Sequence, residues 1–158
     1  MILFMKAILA TVLALLTLAC SSDSDPINYM QMEIEDLIPI AESGDSFAQF
    51  VLGYDYANGI GVAQNDTEAV KWYSLAAEQG DSSSQFNLGV MYANGDGVYQ
   101  SKIIAHMWWT LSAERGNERA FDYLTSIENQ MTPEMLEMAQ EFAQLCREAS
   151  FKSCISIP

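Results

Sequence analysis

Residues 41–64 read AESGDSFAQFVLGYDYANGIGVAQ, and residues 77–100 read AEQGDSSSQFNLGVMYANGDGVYQ. Superimposed at an offset of 36 residues, they match at Gly44/Gly80, Gln49/Gln85, Phe50/Phe86, Leu52/Leu88, Gly53/Gly89 and Tyr56/Tyr92. They match again through Ala57-Asn58-Gly59 and Ala93-Asn94-Gly95, at Gly61-Val62 and Gly97-Val98, and at Gln64/Gln100. The register continues through Ala69/Ala105, Trp72/Trp108 and Leu75/Leu111, and a third copy opens at Ala113-Glu114-Arg115-Gly116-Asn117. A fixed period of this length marks a stack of supersecondary units rather than one globular core.

The unit is helical. Ala48, Leu52 and Tyr56 recur every fourth residue, so they share one helix face. Gly53 and Gly89 fall inside that helix, where glycine costs about 1 kcal/mol relative to alanine. A cost that is repeated predicts a repeated benefit, the close approach of a partner helix. Asn58-Gly59-Ile60-Gly61 breaks the helix, because glycine reaches positive φ freely. A second helix follows, with Asp66 as its expected cap and Ala69, Trp72, Leu75 and Ala76 as its apolar face. Gly80 then suits a C-terminal cap, and Asp81 the N-cap of the next copy.

These glycines and aromatics resemble the Sel1-like repeat, a relative of the tetratricopeptide repeat, over about residues 41–125. There are two full copies and a partial third, in which Thr125 stands where Gly53 and Gly89 stand. The resemblance implies an all-α fold, a short right-handed superhelix (α-solenoid) of antiparallel helix pairs. Its expected layout is a repeat domain over 31–150, with repeats at about 45–80 and 81–116 and a partial copy at 117–130. A closing helix over 133–150 and a tail over 151–158 complete it. Met32 to Ala41 align with a second helix, though Pro39 predicts an irregular one. Thr132-Pro133-Glu134 opens the closing helix, with Met135, Met138, Ala139, Phe142 and Leu145 on one face.

The resemblance also implies a function. In tetratricopeptide-like arrays the first helix of each pair lines a concave groove that binds a protein or peptide. In that register the groove positions are Phe47, Phe50, Tyr54 and Asn58, then Ser83, Phe86, Val90 and Asn94, then Arg119, Asp122 and Ser126. Some of these could instead pack against neighbouring repeats.

The N-terminus reads as a targeting segment. Ala7 to Ala19 is an unbroken run of apolar and small residues after Lys6, shorter than the roughly 20 residues a membrane span needs. Met1 to Met5 are apolar, and translation from Met5 is one explanation. Leu16-Thr17-Leu18-Ala19-Cys20 resembles a bacterial lipobox, with Thr17 where leucine is usual. Residues 1–19 are thus expected to be a lipoprotein signal peptide and Cys20 the lipidated residue. Ordinary cleavage near Ala19 is the alternative. Ser21 in place of aspartate suggests outer-membrane sorting, facing the periplasm, and residues 20–30 form a polar tether.

Seven Lys and Arg stand against 21 Asp and Glu, a net charge of −14. That argues against nucleic acid, which needs clustered positive charge, and leaves the lipid as the one expected membrane contact. A basic protein or peptide would be attracted. With Cys20 accounted for, Cys146 and Cys154 form an even pair in an oxidising compartment and are expected to be disulfide-bonded; two free thiols are the alternative.

Chemistry is poorly supported. His106 is the one histidine, so there is no histidine cluster for a metal, and it replaces Val70 of the preceding copy. A groove or surface role is expected for it rather than that of a base. Asp96 alone is no calcium loop. No metal, no cofactor and no catalysis are expected. The leading expectation is an envelope adaptor that binds a protein or peptide. The alternatives are a β-lactam-binding or hydrolysing enzyme, as some cysteine-rich relatives are, or a structural subunit of an envelope assembly. Those relatives carry a cysteine pair in nearly every repeat, and this chain does not.

Overall fold

The structure, a computed structural model, describes residues 28–149 and Cys154. The signal segment and Cys20 lie outside the described residues. Among these residues the chain forms seven helices and a short 3-10 turn at Tyr29–Gln31, with no strand. The helices are α1 (Ile34–Glu42), α2 (Ser46–Asn58), α3 (Asp66–Glu78), α4 (Ser82–Asn94), α5 (Lys102–Glu114), α6 (Glu118–Glu128) and α7 (Pro133–Glu148). From α1 to α6 each packs mainly on its chain neighbours, which makes an all-α solenoid.

The 36-residue period is visible in individual bonds. Asp45 and Asp81 cap α2 and α4, accepting from the backbone of Ala48 at 2.8 Å and Ser84 at 2.6 Å. Both helices end on a left-handed glycine, Gly59 or Gly95. The loops close alike, with the Asn65 N–H donating to the Tyr56 carbonyl and the Ser101 N–H to the Tyr92 carbonyl. Asn65, rather than Asp66, is the cap of α3, and Ser101 is that of α5. Asp66 is instead the first helical residue, where its charge suits the helix dipole. Buried Gln49 donates to the Ala41 carbonyl and Gln85 to the Ala77 carbonyl, tying each repeat to the one before.

The mid-helix glycines are explained by the rings they face. A Cβ on Gly53 would lie 2.6 Å from the Tyr73 ring, and one on Gly89 would overlap the Trp109 indole. Each first helix therefore lies bare against an aromatic of its own second helix. The third unit lacks this pairing. Thr125 takes the glycine position and Gln140 the place in the second helix that Tyr73 and Trp109 hold, and both are exposed. Phe121, more than half exposed, replaces the clamping glutamine. The connection Asn129–Thr132 is four residues, against seven in each preceding unit. As a result α7 packs on α5 and hardly touches α6.

Several expectations need correction. Helix α1 continues through Pro39 without a break. The carbonyl that loses its donor there belongs to exposed Glu35, which water can satisfy. Leu75 is partly exposed, and Tyr73 and Ala77 take its place in the core beside Ala69, Trp72 and Ala76. On α7 the buried face is Ala139, Ala143 and Cys146, whereas Met138 and Leu145 are exposed. Small side chains there let α7 lie close on α5, and Cys146 Sγ sits 3.6 Å from Met107 Sδ.

Cys146 and Cys154 form a disulfide, and both are buried in the central core. The loop they close is short, so replacing both by serine should cost roughly 2.5 kcal/mol in the chain-entropy account. Urea unfolding with and without reductant measures this. Equal midpoints would mean that the bridge adds nothing beyond the packing of α7.

Candidate functional site

The first helices α2, α4 and α6 line one face of the array. Phe47 is 48% exposed and Tyr54 39%, while Phe50 is half-buried. An aromatic chain runs along the N-terminal end of this face. Ring centroids lie 5.7 Å apart for Tyr29–Phe47, 5.9 Å for Phe47–Phe50 and 6.1 Å for Phe50–Tyr73.

Beside it lies a cavity of about 330 Å³, walled by Tyr54, Asn58, Asp66, Tyr73, Asn87, Val90 and Asp96. The structure thus brings Tyr54, Asn58 and Val90 of the expected groove together. Burial, above all, pushes the Tyr73 hydroxyl up from the ordinary phenol range, so this wall is neutral. A second cavity of about 240 Å³ lies between α4 and α6, lined by Asn94, Gln100, Lys102, Trp109, Tyr123 and Ser126. Asn94 belongs here rather than with Val90. Ser83 is half-buried and reaches neither cavity, and Asp122 is exposed outside both.

Phe86 departs furthest from expectation. It is 4% exposed and cannot present a free apolar surface. The Tyr123 ring meets it edge-on at 5.0 Å and the Arg119 guanidinium lies 4.4 Å above it. Its carbonyl accepts from the Trp109 indole at 3.1 Å. The repeat register puts Phe86 on the correct face, but the neighbouring copy carries Tyr123 where α4 has the smaller Asn87. His106 is likewise buried, not in a groove. Its Nε2 lies 3.0 Å from Glu128 Oε1 and its Nδ1 3.3 Å from Thr110 Oγ1, which ties α5 to α6.

Sequence reading missed Asp66, Asn87, Asp96, Lys102 and Tyr123 as lining residues. The signal was available. Asn58/Asn94, Gln64/Gln100, Asp66/Lys102 and Tyr73/Trp109 are pairs at the repeat offset, and each pair lines the two cavities in turn.

Beneath this face lies Asp55, 9% exposed and with no hydrogen bond to its carboxylate among the described residues, where the other copies have Met91 and Ile127. Burial pushes its carboxyl up from the usual range. The folded state thus binds the proton more tightly than the unfolded chain, and stability falls as pH rises through the raised value. Asp55→Asn should therefore raise the melting temperature at pH 7. The gain should vanish below about pH 3.9, where the unfolded carboxyl is protonated too. A pH series of thermal melts checks this; a loss at pH 7 would show that the carboxylate is stabilising.

A larger hollow, about 710 Å³, opens beside the second loop, lined by Thr67, Tyr92, Val98, Tyr99 and Ile104. It carries no charged side chain, and the first loop has Ala63 where Tyr99 stands. No group of three or more His, Cys, Asp or Glu that could hold a metal occurs among the described residues. Nor is any helix of these residues long and apolar enough to cross a membrane.

Stacked helix pairs with aromatic-lined hollows between their first helices define a helical-repeat scaffold. The Sel1 repeat model matches residues 46–81 and 82–117. A Sel1 repeat protein from Oxalobacter formigenes, known from a crystal structure, is 38% identical, with a TM-score of 0.57 over 59% of this chain and 70% of that one. The chain belongs to the Sel1 repeat family, whose repeats generally serve as protein–protein interaction modules. A second structure is c5321, described as a protective antigen present in uropathogenic Escherichia coli strains and displaying an SLR fold. It is 29% identical, with a TM-score of 0.69 over 78% of this chain, which spans 28% of its length. No curated protein matches the chain.

Proposed function

We propose that this chain is a bacterial envelope adaptor that holds a protein or peptide on the face formed by α2, α4 and α6, without catalysis. The observation that carries the reading is the exposed aromatic run of Phe47 and Tyr54 beside a polar cavity, on a family scaffold used for protein contacts. Aromatic faces supply contact area, and the surrounding amides fix orientation. We further propose that the chain is exported, that Cys20 is lipidated, and that the repeat domain faces the periplasm from the outer membrane. The lipobox-like run before Cys20 supports this.

The test is photo-crosslinking in living cells, with the reactive residue at Tyr54 and, as a control, at Lys71 on the exposed face of α3. One dominant protein adduct at Tyr54 alone is expected. Equal adducts at both positions, or none, would remove the assignment of this face. Cys20→Ala is expected to abolish incorporation of radiolabelled palmitate into the chain; labelling equal to wild type would refute the lipid anchor.

A further inference from the structure

The two cavities are repeat copies of each other with opposite charge. Ala57/Ala93, Asn58/Asn94, Gln64/Gln100 and Tyr73/Trp109 recur in both. At the next shared position the first cavity has Asp66 and the second Lys102. The first also has Asp96. Other lining positions change in size or polarity, such as Asn87/Tyr123 and Val90/Ser126, but this one reverses charge.

The conserved amides respond to the exchange. Gln64 Nε2 donates to Asp66 Oδ1 at 3.1 Å, whereas Gln100 Nε2 turns to the Ala93 carbonyl at 2.7 Å. Asn94 Nδ2 donates to Asp96 Oδ2 at 3.0 Å. Each carboxylate thus uses one oxygen within its own loop and keeps the other for a donor. Lys102, half-buried at the start of α5, makes no ion pair or hydrogen bond among the described residues.

Resting on the adaptor reading above, we propose that the occupant is an extended segment of a partner protein whose Lys or Arg enters the Asp66–Asp96 cavity and whose Asp or Glu meets Lys102. In the first cavity an alkyl-ammonium or guanidinium finds two carboxylates against the Tyr54 and Tyr73 rings. In the second a carboxylate finds Lys102 with the Asn94 amide beside it. Successive first helices share few contacts and so stand at least about 10 Å apart, and an extended chain covers about 3.3 Å per residue, so the two charges stand at least about three residues apart. A second copy of this acidic chain is a poor occupant, since like charge opposes encounter.

The experiment selects a random dodecapeptide display library on the immobilised full chain, on Lys102→Glu and on Asp96→Lys. Position 102 opens a helix, where an acidic residue is well tolerated, and position 96 is a loop residue. Circular dichroism therefore serves as a check that both variants are folded. The wild-type pool should enrich a basic and an acidic residue three or more positions apart. A consensus peptide from that pool should bind Lys102→Glu about tenfold more weakly. The acidic preference should be lost in that variant, and the basic one in Asp96→Lys. Identical motifs from all the proteins, or a wild-type motif without the charge pair, would overturn the proposal. If that happens while Tyr54 still gives its single adduct, the groove stands and the charge reading falls. If Tyr54 gives none, both fall.

Discussion

Gly89→Ala should destabilise the protein by about 3 kcal/mol, although alanine is the better helix former by about 1 kcal/mol. The new methyl group would occupy the Trp109 indole. That ring is 3% exposed, so shifting it gives up buried contacts even though one side borders the second cavity. Moving it also strains the bond from its N–H to the Phe86 carbonyl and pulls on Tyr123, packed 5.0 Å away. Overpacking and the weakened buried hydrogen bond together outweigh the gain in helix propensity. Thr125→Ala, at the same place in the open third unit, meets no ring and should change stability by a few tenths of a kcal/mol. Urea unfolding of both variants tests the pair. A Gly89→Ala midpoint at or above wild type would mean that the glycine is not there for the ring.

Trp108→Ala should cost about 4 kcal/mol, the largest single loss anticipated in the chain. Trp108 is 1% exposed and sits in the core cluster formed by α3, α4, α5 and α7, among Tyr73, Leu88, Leu111 and Cys146. Removing the indole leaves a cavity with rigid walls, since the disulfide and the small residues of α7 hold that helix in place. Repeat arrays add up nearest-neighbour interfaces, so the damage should concentrate in the C-terminal half. Hydrogen exchange is expected to lose protection in α5 and α7 before α1 and α2. Uniform loss along the chain would show that the array unfolds as one unit.

Much of this architecture was legible in the sequence because each structural device repeats. The caps at Asp45 and Asp81, the turns at Gly59 and Gly95 and the close approach at Gly53 and Gly89 all recur at one offset. What escaped is whatever depends on the difference between copies. Phe86 has the register of an exposed groove residue, and only the bulk of Tyr123 and the reach of Arg119 cover it. His106 stands where a valine stood and meets Glu128, at a position that Tyr56 and Tyr92 hold in the earlier copies. The turned face of α7 follows from a shortened connection and a tie through Cys146, neither of which has a periodic signature. The charge reversal between Asp66 and Lys102 is readable at the offset, but its meaning depends on both residues facing hollows.

The contact between a bare helix backbone and an aromatic ring works as a spacer of fixed size. An indole or phenol is rigid, and a glycine backbone offers no side chain whose rotamer could change the gap. The distance between α2 and α3, and between α4 and α5, is therefore gauged by one ring each, like shims in a machine. A surface built on such shims keeps its shape as ligands come and go. It discriminates among segments by which side chains they bring, and little of the binding free energy is lost in bending the host.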